Sequence, residues 1–169
     1  MVIDNAGNKI ISAKFYGMKK SLFSLLFLVL LFSVNAQSAE DSVKAVINKM
    51  FLAMKNGTGN GEMLTACFAD SAILQTIIEK EGKTKIITED VKGFADFVNT
   101  SPKDDADERI TFETVKVDGS LAIAWTPYNF YYKGKFSHCG IDSYQLVRIN
   151  GEWKIQYLID TRKKEGCKP

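Results

Sequence analysis

The chain has 169 residues, of which 46% are hydrophobic and 25% are charged. This composition is typical of a globular protein, and the length allows one domain with its own hydrophobic core. The basic residues outnumber the acidic ones by only two, 22 against 20, which excludes the strongly basic surface typical of proteins that bind nucleic acids.

The N-terminal segment 18–36 has the pattern of a signal peptide. Lys19 and Lys20 precede an almost unbroken apolar run at 22–32, which is shorter than the roughly 20 residues that a membrane span needs. Residues 34–36 then supply a cleavage site, and we predict export to the periplasm or out of the cell. A retained membrane anchor is the alternative. Residues 1–17 do not join this pattern, and we interpret them as a spurious extension before the natural start at Met18.

Removal of residues 1–36 changes the charge of the protein. It takes four of the 22 basic residues and one of the 20 acidic residues, so the remaining chain has a net charge of −1. We therefore expect no nucleic-acid partner, and no attachment to a membrane once the signal peptide is cleaved.

The first part of the remaining chain is predicted to be helical. Apolar residues recur at three- and four-residue spacing in 40–57, which indicates an amphipathic helix ending near Gly57. A short second helix follows at 61–68. After β-rich segments at 71–79 and 86–88, residues 89–100 form a third predicted helix, with Thr88 as its N-cap.

The last third of the chain is predicted to be a four-stranded antiparallel meander. The strands are 109–117, 121–132, 136–149 and 152–163, and a polar loop at 101–108 precedes them. The strands are separated by two-residue hairpin turns of type I′, in which the central residues have positive φ. These turns are Asp118-Gly119, Lys133-Gly134 and Asn150-Gly151.

The predicted register sorts the side chains onto two faces. The more apolar face should meet the helices and line a pocket. The pocket residues predicted from this face are Phe112, Trp125, Asn129, His138, Asp142, Tyr144 and Tyr157. The other face carries Tyr128, Phe130, Tyr132 and Cys139. A β-bulge would turn a strand over and exchange its faces.

The segment KFSHCGID, residues 135–142, brings His138, Cys139 and Asp142 close together in sequence. Neighbours in a strand point to opposite faces, so His138 and Cys139 should form neither a catalytic dyad nor a metal site. His138 and Asp142 share a face but lie about 13 Å apart along the strand. They are the candidate catalytic residues, and the alternative is that each has a purely structural role. We predict no metal and no cofactor.

The three cysteines, Cys67, Cys139 and Cys167, all follow the signal peptide. Cys139 lies across from Arg162 in the predicted register, so a tail that folds back would allow a Cys139–Cys167 disulfide. The alternative is a buried thiol at Cys139 and a loose C-terminal tail.

Three stretches together resemble the nuclear-transport-factor-2-like (SnoaL-like) superfamily, in particular its subgroup named "putative lumazine-binding". They are AVINKMFLAMKNGTGNGEMLTACFADSAILQT, GFADFV and YQLVRINGEWKIQYLIDTR. The resemblance implies an α+β fold for residues 38–169, a cone-shaped barrel in which N-terminal helices pack on a curved antiparallel sheet. It also implies a pocket between the helices and the sheet, and frequent homodimers. Some superfamily members are enzymes with a carboxylate base in the pocket.

Three functions are compatible with these observations. The leading hypothesis is an exported protein that binds a small apolar or aromatic molecule, without an assignable reaction. The second is an isomerase, cyclase or dehydratase that uses Asp142 or His138. The third is a non-catalytic dimeric interaction module that uses the outer face of the sheet.

Overall fold

A computed structural model describes residues 39–169. The predicted extension at 1–17 and the predicted signal peptide at 18–36 lie outside the described residues. Within the described part, no helix is both long and apolar enough to cross a membrane.

In residues 39–169, three helices form one layer of the fold. Helix α1 covers 39–56, and its buried stripe contains Val43, Ile47 and Met50. It ends at Gly57, which has a φ of +68° and donates its N–H to the carbonyl of Ala53 at 3.1 Å. Helix α2 is Gly61–Thr65 and helix α3 is Val91–Thr100.

Helix α3 begins two residues later than predicted, and Asp90 rather than Thr88 is its N-cap. The Asp90 carboxylate accepts a hydrogen bond from the backbone N–H of Gly93 at 2.6 Å. Aspartate is among the preferred N-cap residues because its side chain can satisfy a free N–H of the first turn. Thr88 instead belongs to the preceding strand.

In the described part of the chain, seven strands form the second layer, a mixed sheet in the order β2-β1-β7-β6-β5-β3, with β4 also paired to β5. All pairs are antiparallel except β1 with β7. The sheet path has two ends and does not close, and the α+β class agrees with the prediction. The strands are β1 Phe68–Lys80, β2 Lys83–Glu89, β3 Ala106–Ile110, β4 Thr114–Asp118, β5 Leu121–Tyr132, β6 Lys135–Ile149 and β7 Glu152–Arg162.

The predicted strand 109–117 is two strands, β3 and β4, separated at 111–113. Asp118 pairs with Leu121, so the loop consists of Gly119 and Ser120 rather than the predicted Asp118-Gly119. This changes the pairing by two residues and leaves the faces unchanged, because side chains alternate with a period of two.

Two β-bulges reverse part of the predicted faces. On β6, Phe136 pairs with Tyr131 but His138 pairs with Phe130, so Ser137 is an extra residue. On β7, Ile155 pairs with Leu146 but Tyr157 pairs with Gln145, which makes Gln156 extra.

The exchange of inner and outer side chains caused by these bulges is clearest on β5. Trp125 points away from the helices and is 45% exposed, whereas Ala124 and Thr126 are buried. Tyr128 is also buried and Phe130 packs against the core, although both were predicted on the outer face. On β7 beyond Gln156, Asp160 is buried, whereas Tyr157, a predicted pocket residue, lies on the outer face.

The core lies between α1, α2 and α3 and the inner face of the sheet. Fully buried members include Ile47, Leu64, Val98, Leu146 and Ile155. At about 25 cal/mol per Å² of buried apolar surface, side chains of this size each stabilise the fold by about 1.5–3 kcal/mol. Cys67 is a buried free thiol in the same core.

A disulfide joins Cys139 of β6 to Cys167 of the C-terminal tail, with an S–S distance of 2.13 Å. Lys163 and Cys139 exchange both backbone hydrogen bonds, at 2.9 and 3.0 Å, so the tail runs antiparallel to β6. The Asn129 side chain donates to the carbonyl of Lys168 at 2.9 Å. The tail is thus fastened to the sheet at three points.

Candidate functional site: a cavity with a carboxyl pair

A cavity of about 660 Å³ lies between the helices and the inner face of the sheet. Its size is within the range of small-molecule sites, roughly 300–1,000 Å³. The residues that line it are Met50, Phe51, Met54, Leu74, Gln75, Thr76, Thr88, Glu89, Asp90, Gly93, Phe94, Phe97, Glu108, Phe130, His138, Asp142, Tyr144, Leu158, Asp160 and Arg162.

One side of the cavity is apolar and comes from helices α1 and α3. We call it the helical wall, and it consists of Met50, Phe51, Met54, Phe94 and Phe97. The three- and four-residue spacing in each helix brings these side chains to the face that meets the sheet. The helical wall can therefore hold the apolar part of a ligand.

The opposite side is the sheet, and it carries three carboxyl groups that we call the acid cluster: Glu108 on β3, Asp142 on β6 and Asp160 on β7. Asp142 and Asp160 are directly paired across β6 and β7. Asp142 is only 4% exposed and Asp160 is 8% exposed. Carboxyl groups buried to this extent need hydrogen-bond donors or a proton.

Asp142 receives its hydrogen bonds from neutral groups. The hydroxyls of Thr126 and Tyr144 both donate to its Oδ2 at 3.1 Å. Glu108 and Asp142 are also joined by a side-chain hydrogen bond. Two carboxyl groups can share such a bond only if one of them is protonated.

The proton resides mainly on Glu108. Burial, and then the negative charges of Asp142 and Asp160, raise the pKa of Glu108 well above its usual range. Burial and the charge of Asp160 also raise the pKa of Asp142 to about 7. Glu108 is thus an acid that donates to Asp142, and the two groups together carry about half a negative charge at pH 7 and approach one full charge above it.

Asp160 has a different set of partners, which includes a cation. Its carboxylate accepts hydrogen bonds from the Thr76 hydroxyl at 2.6 Å, the Tyr128 hydroxyl at 3.1 Å and Nε of Arg162 at 2.9 Å. Burial and the charge of Asp160 raise the pKa of Tyr128, so its phenol remains a donor at neutral pH. The charge of Asp160 is balanced within the protein.

His138 lines the cavity on the same strand as Asp142. Its ring packs against Phe130, with centroids 4.9 Å apart, and its Nδ1 is 3.0 Å from the Ser137 hydroxyl. Burial and the nearby Arg162 lower the pKa of His138. The imidazole is therefore neutral at neutral pH, and it can offer a ligand one donor or one acceptor.

Three of the seven predicted pocket residues line this cavity: His138, Asp142 and Tyr144. Trp125 and Tyr157 lie on the outer face because of the bulges at Ser137 and Gln156. The Tyr157 hydroxyl donates to Gln75 at 2.6 Å.

The other two predicted residues also lie outside the cavity. Asn129 is on the outer face, where it holds the C-terminal tail. Phe112 lies in the break between β3 and β4 and packs at the edge of the core. His138 and Cys139 point to opposite sides, because Cys139 bonds to Cys167 while His138 faces the cavity.

Sequence reasoning missed Glu108, Asp160, Thr76 and Arg162. Glu108 belonged to the predicted loop at 101–108, and Asp160 and Arg162 to the end of the predicted strand at 152–163. The sequence did contain one signal for Asp160 and Arg162. Leu158, Asp160 and Arg162 are every second residue of one strand, so their side chains must share a face. Placing that face inward required knowledge of the bulge at Gln156. Among residues 39–169, no group of three or more His, Cys, Asp or Glu side chains is arranged to hold a metal ion.

A layer of helices on a mixed sheet, with a cavity between them, defines an α+β pocket protein of the nuclear-transport-factor-2-like class. The family model described as "Putative lumazine-binding" matches residues 38–157, and the chain belongs to this family. No curated protein matches the chain.

Solved structures agree on the fold. An NTF2-like protein of unknown function from Shewanella baltica is 12% identical with a TM-score of 0.59, over 76% of this chain and 96% of that chain. A cystatin-like domain from Nostoc punctiforme is 23% identical with a TM-score of 0.57. The match covers 78% of this chain and 80% of that domain's chain. A protein described as a "putative dehydratase" of the NTF2-like family from Streptomyces avermitilis is 13% identical with a TM-score of 0.56. The match covers 76% of this chain and 98% of that chain.

Proposed function

We propose that this protein is exported and binds a small molecule with an apolar or aromatic body in the cavity between the helices and the sheet. The observation that carries the proposal is the division of a 660 Å³ cavity into an apolar helical wall and a polar sheet wall. Such a cavity can bury the body of a ligand while a few polar groups set its orientation.

The polar groups that can contact a ligand are on neighbouring strands. Glu108 and His138 are only partly buried and line the cavity, so they can exchange hydrogen bonds with a ligand. Asp142 and Asp160 are almost fully enclosed and already hold several donors. Their main contribution is to orient Glu108 and Arg162 and to set the charge of the wall.

Binding can be measured with N-phenyl-1-naphthylamine, a neutral aromatic probe that fluoresces in apolar surroundings. We expect one probe per chain, and a loss of affinity of about tenfold or more in Leu158→Trp, because the larger ring fills the cavity. Ile159→Trp is the matched control, since Ile159 is the next residue of β7 and does not line the cavity. Absence of binding, or equal effects of the two variants, would contradict the proposal.

A second candidate function, acid–base catalysis, is favoured by the Glu108–Asp142 pair. A protonated carboxyl and a carboxylate in one hydrogen bond can donate and accept a proton without a change of total charge. The pKa of Asp142 near 7 suits this exchange at neutral pH. A reaction that moves a proton on a bound substrate, such as isomerisation or dehydration, is the class that this arrangement would serve.

This second function can be tested by NMR in heavy water with a panel of cyclic ketones, which exchange the protons next to the carbonyl. We expect the protein to accelerate the exchange, and Asp142→Asn to remove the acceleration. His138→Ala should have the smaller effect, because His138 has no hydrogen bond to the pair. No acceleration, or acceleration that survives Asp142→Asn, would leave binding as the function.

The export part of the proposal has its own support. The predicted signal peptide precedes a domain that contains a disulfide, and disulfides persist in oxidising compartments. When the full chain is produced in a bacterium with a periplasm, we expect protein in the periplasmic fraction whose N-terminal residue is Gln37. Cytoplasmic protein that retains residues 18–36 would contradict export.

A further inference from the structure

When Asp142 is ionised, the acid cluster holds a buried negative charge that is not paired with any cation among residues 39–169. Asp160 is paired with Arg162 at 2.9 Å. The donors that residues 39–169 supply to Asp142 are neutral: the hydroxyls of Thr126 and Tyr144, and the protonated carboxyl of Glu108. Within residues 39–169, no lysine, arginine or histidine forms an ion pair with Asp142.

A buried charge without a counter-ion is costly, and it is usually paired or neutralised by a proton. Once Asp142 is ionised, the proton on Glu108 spreads the charge over two carboxyl groups but does not remove it. Water contributes little, because Asp142 is only 4% exposed. A positive charge placed in the cavity beside Glu108 would compensate this carboxyl pair, and the cavity is open to that position because Glu108 lines it.

The aromatic side chains of the cavity also suit a cation. Phe51, Phe94 and Phe97 line it from the helices, and Phe130 lines it from β5, directly paired with Glu108 on β3. The face of an aromatic ring attracts a cation by about 0.5–2 kcal/mol, depending on how far the cation is desolvated.

The charges around the cavity favour the same sign of ligand. Glu89, Asp90 and the acid cluster supply five carboxyl groups, whereas Arg162 is the one basic side chain among the lining residues and is bonded to Asp160. His138 adds no positive charge at neutral pH, because burial lowers its pKa. The potential in the cavity therefore attracts cations and repels anions.

From these observations we propose that the ligand of the cavity is an organic cation, a protonated or quaternary amine on an apolar or aromatic body. Its charge lies beside the Glu108–Asp142 pair, and its body packs on the phenylalanines of the helical wall. This inference rests on the proposed binding function, since it concerns the same cavity.

Three probes of similar shape and different charge test the inference. Phenyltrimethylammonium is a cation, tert-butylbenzene is its neutral isostere, and benzenesulfonate is an anion with a similar tetrahedral group. Each is titrated against bound N-phenyl-1-naphthylamine at pH 8, where Asp142 is ionised. We expect the cation to bind about tenfold or more tightly than the neutral isostere, a difference of about 1.4 kcal/mol, and the anion to bind most weakly.

Asp142→Asn tests whether the carboxyl pair is the source of this preference. Asparagine keeps the shape and one acceptor oxygen but removes the charge, so the cation should lose about tenfold in affinity while tert-butylbenzene changes little. Asp118→Asn, in an exposed position at the end of β4, is the matched control and should change neither affinity.

The outcomes separate the inference from the function on which it rests. If tert-butylbenzene or benzenesulfonate binds as tightly as phenyltrimethylammonium, the charge preference is wrong and the small-molecule function remains. If neither the naphthylamine nor any of the three probes binds, the inference and the proposed binding function are both overturned. If Asp142→Asn lowers the affinity for phenyltrimethylammonium and for tert-butylbenzene equally, Asp142 has a structural role and the inference is contradicted.

Discussion

Glu108 and Asp142 hold more protons in the folded protein than in the unfolded chain. Their pKa values are raised by burial, that of Asp142 from 3.8 to about 7. Between about pH 4 and pH 7, the folded state therefore binds more protons than the unfolded state, and the free energy of unfolding falls as the pH rises. This pair is the main reason to expect greater stability in mild acid than at pH 8.

The variant Glu108→Gln tests this expectation. A glutamine can donate to Asp142 without a titrating proton, so the variant should be more stable than the parent at pH 8, by roughly 1–3 kcal/mol, and should show a flatter pH dependence. Urea unfolding followed by tryptophan fluorescence from pH 5 to pH 8 measures both. Glu113→Gln, in an exposed position, is the control. An unchanged slope in Glu108→Gln would show that this pair does not control the pH dependence.

Gly140 matters for a different physical reason, the close approach of two strands. A Cβ at this position would overlap the carbonyl oxygen of Thr161 and press on the Tyr128 ring. We expect Gly140→Ala to destabilise the fold by roughly 2–4 kcal/mol, because the backbone of β7 must move away. Ser143→Ala on the same strand should cost less than about 1 kcal/mol. Thermal unfolding distinguishes the two, and equal midpoints would contradict the predicted overlap.

At the scale of elements, the disulfide connects the first half of β6 to the C-terminal tail, across a sequence separation of 28 residues. A crosslink of that length is expected to stabilise the fold by about 3 kcal/mol, through the lower entropy of the unfolded chain. The double variant Cys139→Ser with Cys167→Ser should lose about that much in urea unfolding. Cys67→Ala provides the comparison in which the crosslink stays intact.

Intact mass before and after reduction checks the crosslink directly. We expect the parent and Cys67→Ala to gain the mass of two hydrogen atoms on reduction, and the double variant to gain none. A parent protein whose mass does not change on reduction would contradict the disulfide.

The bulges are the elements that place the site. Ser137 and Gln156 each add one residue to a strand, and each exchanges the faces of the residues beyond it. Through them, Asp160 faces Asp142, and Phe130 joins the cavity. Without them, Trp125 and Tyr157 would occupy the inner face, as the two-residue turns alone predict.

At the scale of the whole molecule, the outer face of the sheet carries an apolar row on β5. Leu121, Ile123 and Trp125 are 50%, 44% and 45% exposed. Exposed apolar rows of this kind often mark contacts between proteins. We propose that this row is the contact surface of a homodimer, as the resemblance to the superfamily implies.

Light scattering coupled to gel filtration tests the homodimer. We expect the parent protein to elute with the mass of two chains, and Trp125→Glu to elute with the mass of one, because a charge in an apolar contact is costly to bury. Ile86→Glu, on the exposed edge strand β2, should leave the dimer intact. A parent protein with the mass of one chain at micromolar concentration would contradict the proposal.

The sequence by itself determined the class of fold and the order of its main elements. The helical stripe from Val43 to Met54 and the turns at Lys133 and Asn150 are local features, and each rests on a period or a backbone conformation that a few neighbouring residues decide. It also separated His138 from Cys139, since strand neighbours alternate whatever the register.

Only the tertiary structure decided which side chains share the cavity. A bulge leaves no clear mark in composition or periodicity, because its position depends on how two strands fit a bent sheet and its helices. Asp160 and Glu108 are polar residues that sequence alone assigns to solvent. Their burial beside Asp142 arises from long-range pairing, and the raised pKa values follow from that burial.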